Sequence, residues 1–279
     1  MTSRRRFAQV DVFTDESLMG NPVAVVLDRE GLDTQQMLDF TAWTNLSEAT
    51  FIGPPTHPDA DYHVRIFCPG RELPFAGHPT LGSCHAWLAA GGTPQGDVIV
   101  QECGAGLVPI RRDGDRLAFA APPLQRSGPL SDDDLGATLH LLSITRDDIV
   151  DHSWCDNGPG WRGVLLRSAQ AVLDLTPDPQ LLNGMDVGVA GLYPEGSDIA
   201  VEIRTFFPGN QGLTEDPITG SFNASAAQWL IGAGILPDSY VAAQGTVIGR
   251  RGRIYVDRVG DDIWVGGHSV TVVQGEVLL

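Results

Sequence analysis

Three polar clusters in the chain contain side chains that can carry protons. The segment NLSEATF places Ser47 and Glu48 between an apolar stretch and a predicted strand. The segment PFAGHPT places His78 in front of a predicted helix, and EDPITGS places Asp216 in front of another. Carboxylate and imidazole side chains are the usual general acids and bases of enzymes. Taken together, the three clusters predict proton-transfer chemistry.

Each cluster taken alone also fits an ordinary structural role. Glu48 would then be an exposed glutamate at a loop end, and His78 a surface histidine in a capping turn with Pro79 at the first helical position. Asp216 would belong to an Asp-Pro turn, with Ser221 as the N-cap of the next helix. The choice between a site and three helix or strand starts therefore depends on what brings the clusters together.

An internal repeat relates the two halves of the chain. VRIFCPG (64–70) aligns with IRTFFPG (203–209) and shares Arg, Phe, Pro and Gly with it. SCHAWLAAGG (83–92) aligns with SAAQWLIGAG (225–234) and shares Ser, Trp, Leu and the final Gly. Two matches in the same order and at nearly the same offset predict a duplicated fold.

The hydrophobic pattern predicts short strands throughout and a few helices. We expect an N-cap at Asp33 and helices over 33–45, 79–90, 178–183 and 221–233. The proline-rich, polar segment 121–134 predicts a linker between the halves.

The expected fold is mixed α/β (α+β), with two pseudo-symmetric domains at 1–122 and 123–279 and a last strand free to cross back to the first half. Each domain would be a curved, mostly antiparallel sheet wrapped around a central helix. The N-terminus of a helix presents unpaired N–H groups and the positive end of the helix dipole, which suits a carboxylate. We therefore expect the active site in a cleft between the two domains, where the two central helices begin.

Composition excludes several classes of function. The chain has 279 residues and a formal net charge of −17, which repels the phosphate backbone of a nucleic acid. No run approaches the roughly 20 consecutive apolar residues that span a bilayer, and the start of the chain lacks a secretion-signal pattern. The four scattered cysteines form no C-x-x-C pair. We expect a cytoplasmic protein with neither nucleic-acid nor membrane partners.

Motifs of other enzyme classes are missing from the sequence. The histidines form no H-x-H or H-E-x-x-H spacing, so metal catalysis has no support. Ser221 lacks the G-x-S-x-G setting of a serine hydrolase. General acid/base chemistry by the carboxylates and His78 is the interpretation that remains.

Five segments resemble one known family in combination. GNPVAV, NLSEATF, ELPFAGHPTLG, CDNGPGW and EDPITGS are similar to motifs of the phenazine-biosynthesis isomerase (PhzF-like) family, and the match runs nearly from end to end. That family has a fold similar to diaminopimelate epimerase, with two pseudo-symmetric α/β domains that each surround a central helix. The resemblance agrees with the internal repeat.

The resemblance implies a role for each residue of the clusters. Glu48 would be the general acid/base that moves a proton between carbons of a small cyclic or unsaturated carboxylic acid. His78 and Asp216 would flank the reacting atoms, orient the substrate and share protons. The implied substrate-binding residues are Asn21, Ser47, Gly77, Gly220 and Ser221. No cofactor and no metal are implied, and a homodimer is expected because members of the family are often dimers.

Two alternatives stay open at this point. A two-cysteine epimerase or racemase needs one thiol at the start of each central helix, where this chain has FAGHP and PITGS instead. Epimerisation by other residues, or a non-catalytic binding protein on the same fold, is still compatible with the sequence. Phe222 would narrow the cleft if its ring faced inward. The substrate and the pathway are not specified by the sequence.

Overall fold

The chain folds into two compact units. The computed structural model describes residues 3–178, 184–209 and 212–279. The first unit comprises the residues up to Ala120 together with Gly266–Leu279, and the second comprises Ala121–Val265. The division between the units thus falls at Ala120, and the chain returns to the first unit at its C-terminal end.

The described residues form five α-helices and 18 strands. The helices are α1 (Thr34–Thr44), α2 (Gly77–Ala89), α3 (Asp132–Leu142), α4 (Ala169–Leu173) and α5 (Gly220–Gly232). The strands of the first half are β1 (Arg4–Val12), β2 (Asn21–Val26), β3 (Ala49–Gly53), β4 (Tyr62–Cys68), β5 (Arg71–Leu73), β6 (Ile99–Cys103), β7 (Gly106–Asp113) and β8 (Arg116–Ala120). The remaining strands are β9 (Arg126–Gly128), β10 (Ile149–Asp156), β11 (Trp161–Leu166), β12 (Val187–Leu192), β13 (Val201–Gly209), β14 (Gly212–Glu215), β15 (Ser239–Gln244), β16 (Gly252–Val259), β17 (Asp262–Gly267) and β18 (Ser269–Leu278).

Three of the predicted helices are confirmed as α1, α2 and α5. The N-cap prediction is also confirmed, because the Asp33 side chain accepts a hydrogen bond from the backbone N–H of Gln36 in a capping box. Residues 179–183 of the helix predicted over 178–183 lie outside the described residues. The linker prediction for 121–134 is wrong. That segment contains β9, which pairs with β10, and the start of α3, which Ser131 caps.

The first unit is a mostly antiparallel sheet. β1 pairs antiparallel with β2, β2 parallel with β3, and β3 antiparallel with β4. β4 then pairs antiparallel with β5 and parallel with β6, and β6, β7 and β8 form an antiparallel meander. The last strand, β18, pairs antiparallel with the other side of β1.

The second unit repeats this topology. β10 pairs antiparallel with β11, β11 parallel with β12, and β12 antiparallel with β13. β13 pairs antiparallel with β14 and parallel with β15, and β15 pairs antiparallel with β16. β9 pairs antiparallel with β10, as β18 does with β1. The predicted duplication is therefore confirmed strand by strand.

The arginine and phenylalanine of the sequence repeat make the same contacts in each unit. Arg65 on β4 forms a bidentate ion pair with Glu72 on β5, and its guanidinium lies 5.0 Å from the centroid of the Phe67 ring. In the second unit, Arg204 on β13 pairs in the same way with Glu215 on β14, and lies 5.0 Å from the Phe206 ring. The repeated residues thus preserve a strand-pairing device.

Each unit has a central helix that is buried on most of its surface. Nine of the 13 residues of α2 and nine of the 13 residues of α5 are buried. Gly82 allows α2 to approach the sheet closely, since a Cβ at this position would lie 2.4 Å from Cγ1 of Val23 and 3.0 Å from Cγ2 of Val12. A helix that is apolar all round belongs in the core.

A second layer of helices covers the opposite face of each sheet. In the first unit, Met37 and Phe40 of α1 pack with Phe51 and Phe67 of β3 and β4. In the second, Leu141 and Leu142 of α3 and Val172 of α4 pack against β11, β12 and β13. No helix in the described ranges is both long enough and apolar enough to cross a bilayer.

Candidate functional site

The site residues predicted in the first unit meet at one edge of its sheet. Asn21 begins β2, and Glu48 directly precedes β3. These two strands are parallel neighbours, with Ala24 opposite Ala49, so their N-terminal ends lie at the same edge. The helix α2 packs on both strands and places His78, in its first turn, at that edge.

Glu48 and His78 form a close pair. The Nε2 atom of His78 lies 3.4 Å from Oε2 of Glu48, and the two side chains are 6% and 17% exposed. Asn45, in the left-handed conformation with φ of 57°, ends α1 and turns the chain toward β3. That turn places Glu48 facing the start of α2, with the half-buried Ser47 beside it in the chain.

The His78 ring is also held from the β2 side. Nδ1 lies 3.4 Å from Nδ2 of Asn21, and the backbone carbonyl of Pro22 accepts a hydrogen bond from the ring. The loop before β2 is anchored where the Gly20 N–H donates to the buried carboxylate of Asp11 over 2.9 Å. A Cβ at Gly20 would lie 2.4 Å from the carbonyl oxygen of Val12, so this loop requires glycine.

Burial decides the charge of His78. It lowers the pKa of the imidazole from 6.5 to about 3, while the Pro22 carbonyl acts in the opposite direction with a smaller effect. His78 is therefore neutral at physiological pH. A neutral imidazole beside a carboxyl group can accept or return a proton without placing a permanent positive charge next to it.

The start of α2 differs from the prediction in one detail. The helix begins at Gly77, so His78 is its second residue and Pro79 its third, whereas Pro79 was expected at the first position. Proline is tolerated throughout the first turn because N–H groups there have no partner within the helix. The N-cap residue Ala76 makes no side-chain hydrogen bond to this turn, so a side-chain cap does not satisfy its N–H groups.

The site residues predicted in the second unit lie around the start of α5. Asp216 follows β14, and its N–H donates to the carbonyl oxygen of Thr205 over 3.1 Å. The hydroxyl of Thr219, the N-cap residue, donates to Oδ2 of Asp216. Gly220 is buried as the first residue of the helix, and Ser221 is half-buried as the second.

Ser221 is held by two residues from the loop before β11. The indole Nε1 of Trp161 donates to its Oγ over 3.0 Å, and Nδ2 of Asn157 donates to its backbone carbonyl over 2.9 Å. Asp156 folds this loop by accepting hydrogen bonds from the N–H groups of Gly158 and Gly160. The second residue of each central helix is thus contacted by the loop between the first two strands of the repeat.

Asn157 and Trp161 were not predicted as site residues, although the sequence contained a signal. They lie in CDNGPGW, one of the five motifs of the resemblance. Trp161 begins β11, as Asn21 begins β2, so the repeat would have pointed to them if it had been extended to these strands. What the sequence could not show is that both donate to Ser221.

Phe222 has a structural role in the second unit and does not narrow a cleft. Its side chain is fully buried and meets the Trp161 ring edge-on at 5.7 Å between centroids. A Cβ at Gly188 on β12 would lie 2.1 Å from the Phe222 ring, so glycine is needed to receive it. The ring therefore fills the space between α5 and the sheet.

The geometry adds evidence on two other chemistries. Cys84 lies inside α2 and is buried, and burial raises the pKa of its thiol to about 12, so it does not ionise readily. Among the residues that the structure describes, no three His, Cys, Asp or Glu side chains are grouped so that they could hold a metal ion. The acid/base groups are therefore those of the polar clusters.

Two curated relatives resemble the chain over nearly its whole length. Antisense-enhancing sequence 1 of Schizosaccharomyces pombe is 35% identical, over 97% of this chain and 97% of the relative. A trans-2,3-dihydro-3-hydroxyanthranilate isomerase of Pseudomonas aeruginosa is 32% identical, over 98% of this chain and 99% of the relative.

Solved structures share the fold. A PhzF-family phenazine biosynthesis protein of Enterococcus faecalis superposes with a TM-score of 0.82 at 22% identity, over 99% of this chain and all of that one. A hydroxyproline epimerase of Agrobacterium vitis gives a TM-score of 0.59 at 16% identity, over 99% of this chain and 93% of that one. The expected epimerase-like fold is confirmed.

The family model described as "phenazine biosynthesis-like protein" (PhzC-PhzF) matches residues 10–275. Isomerase names recur among the relatives, so the chain is a small-molecule isomerase. The expectation drawn from the five motifs is thereby confirmed, and the chain belongs to the PhzC-PhzF family of phenazine biosynthesis-like proteins.

Proposed function

We propose that this isomerase moves a proton between two carbons of a small carboxylate metabolite by general acid/base catalysis, with no cofactor. The observation that carries this is the 3.4 Å contact between Oε2 of Glu48 and Nε2 of the neutral His78. A carboxyl group used for both proton removal and proton return must change its charge twice in a turnover. A neutral partner permits both changes, whereas a fixed cation would hold the carboxyl group ionised.

The proposed reaction has two steps. The Glu48 carboxylate removes a proton from one carbon, and the electron pair of the broken C–H bond enters the conjugated system of the substrate. The protonated Glu48 then returns the proton to another carbon of that system, which moves the double bond and restores the carboxylate. One group serves both steps because the proton is neither gained nor lost overall.

The remaining predicted residues have binding roles in this reaction. N–H groups in the first turns of α2 and α5, near Gly77 and Gly220, are suited to a substrate carboxylate and to the negative charge that develops on the conjugated system. Asp216 would accept hydrogen bonds from an amino or hydroxyl substituent. Because Glu48 and Asp216 belong to different units, we propose that the substrate is bound by both units, in a cleft between them.

The name of the Pseudomonas aeruginosa relative supplies a first test substrate, trans-2,3-dihydro-3-hydroxyanthranilate. The compound is incubated with the purified protein in D2O and followed by NMR. We expect the double bond to move and one deuterium to appear at the carbon that receives the proton. A panel of conjugated cyclic carboxylic acids, each with and without its carboxylate, tests the substrate class. Turnover of the methyl esters as fast as the acids would overturn the carboxylate assignment.

We also propose that the protein acts in the cytoplasm as a homodimer, without nucleic-acid or membrane partners. The net charge of −17 supports the exclusion of nucleic acid. Light scattering coupled to size-exclusion chromatography tests the dimer, for which we expect twice the mass of one chain. A mass equal to one chain at micromolar concentration would contradict it.

A further inference from the structure

Gln244, the last residue of β15, is a fully buried amide at the start of α5. Its Oε1 accepts hydrogen bonds from the backbone N–H of Thr219 over 3.0 Å and from Nδ2 of Asn223 over 2.9 Å. A backbone N–H can only donate, so this contact fixes which end of the amide is the oxygen. The NH2 end of Gln244 must therefore face the other way.

The NH2 end of Gln244 faces three oxygen atoms. They are Oγ1 of Thr205 and Oγ1 of Thr219, both at 3.0 Å, and the backbone carbonyl of Asp216 at 3.2 Å. Each of these oxygens is an acceptor toward Gln244, because the amide NH2 group has protons to donate and no lone pair to offer. The Thr219 hydroxyl oxygen therefore receives a proton from Gln244 and keeps its own proton for another partner.

The partner of the Thr219 proton is the carboxylate of Asp216. Thr219 Oγ1 lies within hydrogen-bond distance of Asp216 Oδ2 and of Thr205 Oγ1. An ionised carboxylate can only accept, so Thr219 donates to Asp216, and the Thr205 hydroxyl is left to donate to Thr219. The order of donors then runs from Gln244 and Thr205 through Thr219 to Asp216. All four residues belong to the second unit.

We infer that Gln244 is a positioning residue: its amide directs the Thr219 hydroxyl at Asp216 and thereby holds that carboxylate in one orientation for the substrate. This role rests on the proposed function, which assigns Asp216 to the substrate. Gln244 acts only through Thr219 and does not itself contact the reacting atoms.

The first unit provides an internal comparison. Gln101 on β6, the strand equivalent to β15, is also a fully buried amide and donates to Oγ1 of Thr80 in α2 over 3.0 Å. Its Oε1 accepts from the hydroxyl of Tyr62 over 3.0 Å. Bracing of the central helix by a glutamine is thus common to both units. The connection onward through a threonine N-cap to a carboxylate is seen at Gln244.

Three variants test the role. Thr219→Val keeps the shape of the side chain but removes the hydroxyl, and Thr219→Ser restores it. Gln244→Glu replaces the NH2 donor by an acceptor of the same shape, so the threonine hydroxyls turn toward it and away from Asp216. Tyr240→Phe is the matched control in β15, because the buried Tyr240 hydroxyl has no hydrogen-bond partner among the described residues.

Two measurements are made on each variant: the crystal structure around Asp216, and kcat and KM with the substrate established for the wild type. We expect the Asp216 side chain to leave its wild-type rotamer in Thr219→Val and Gln244→Glu, and kcat/KM to fall by roughly 10- to 100-fold. Thr219→Ser should recover at least half of the wild-type kcat/KM, and Tyr240→Phe should match the wild type. Recovery by serine would not occur if threonine only filled space.

The outcomes separate this role from the proposed function. If Asp216 keeps its rotamer in Thr219→Val, the positioning role is wrong whatever the kinetics show, and this variant decides the matter if Gln244→Glu does not fold. If Asp216 leaves its rotamer but kcat/KM is unchanged, the role is also wrong. If the wild type catalyses no proton transfer while Asp216 reorients in Thr219→Val and not in Thr219→Ser, the proposed function fails and the positioning of Asp216 by Gln244 and Thr219 stands.

Discussion

His78 and Glu48 are 30 positions apart in the sequence, yet Nε2 of the histidine lies 3.4 Å from Oε2 of the glutamate. The contact exists because β2 and β3 are parallel, so that the starts of both strands and the start of α2 converge on one sheet edge. Both side chains are largely buried there, which lets them exchange a proton with little interference from water.

The buried, neutral His78 makes stability depend on pH. Its pKa is lowered from 6.5 to about 3 in the folded state, so the unfolded chain binds a proton that the folded chain refuses. This contribution to stability is complete above pH 6.5 and is lost as the pH falls toward 3. In His78→Asn, the free energy of unfolding should fall less between about pH 8 and pH 5 than in the wild type, by about 2 kcal/mol. Urea unfolding at each pH measures the difference, and parallel pH curves for the two proteins would contradict it.

The repeated ion pairs should differ in their contribution to stability. The Arg204 and Glu215 side chains are 4% and 13% exposed, and Arg204 also donates to two backbone carbonyls, whereas the Arg65 and Glu72 side chains are 22% and 40% exposed. Arg204→Leu leaves a buried carboxylate without its partner and should lower the free energy of unfolding by about 3–5 kcal/mol. The matched change Arg65→Leu should lower it by about 1 kcal/mol or less.

Urea unfolding of both variants measures this comparison. The double variant Arg204→Leu with Glu215→Leu should recover part of the loss, because it removes the stranded charge. Equal destabilisation by Arg204→Leu and Arg65→Leu would show that burial does not distinguish the two ion pairs.

Trp161 should affect substrate binding through Ser221. In Trp161→Phe the ring can still pack edge-on against Phe222, but the indole N–H that donates to Ser221 Oγ is lost. A hydrogen bond of this kind contributes about 1 kcal/mol, so we expect KM to rise about fivefold with a smaller change in kcat. Steady-state kinetics measures the split, and a loss confined to kcat would contradict the binding role.

Close approach of α2 to its sheet should make Gly82 intolerant of a side chain. A Cβ at this position would lie 2.4 Å from Cγ1 of Val23, so Gly82→Ala should lower the free energy of unfolding by roughly 1–3 kcal/mol. Gly96→Ala is the control, because nothing lies within 4 Å of a Cβ there. Thermal unfolding compares the two variants, and a Gly82→Ala protein as stable as the control would mean that the helix can move away from the sheet at little cost.

Local and repeated features of this fold could be predicted from the sequence. Asp33 was found as an N-cap because capping depends on residues within one turn. The arginine and phenylalanine of VRIFCPG and IRTFFPG recur because both units need the same contacts between neighbouring strands. The helix α3 was missed because its acidic, Ser-capped start at 131–134 follows prolines and has the composition of a loop.

The details of the candidate site depend on contacts between distant segments. Asn157 donates to the carbonyl of a residue 64 positions later, and Gln244 meets Thr219 across 25 positions. Neither residue stands out by type, since asparagine and glutamine are common in loops and at strand ends. Only the packing of the loop before β11 and of β15 against the start of α5 gives these amides their partners.

Solvent deuterium exchange by the Glu48→Gln variant tests the central claim most directly. Glutamine keeps the shape of the side chain but cannot carry the transferred proton, and the control Glu276→Gln removes an exposed carboxylate on β18 of the same unit. With the substrate turned over by the wild type, NMR in D2O follows deuterium at the carbon that receives the proton. We expect the wild type and Glu276→Gln to incorporate deuterium at similar rates, and Glu48→Gln to be slower by at least about 100-fold. Wild-type exchange in Glu48→Gln, with a stable fold, would show that another group moves the proton.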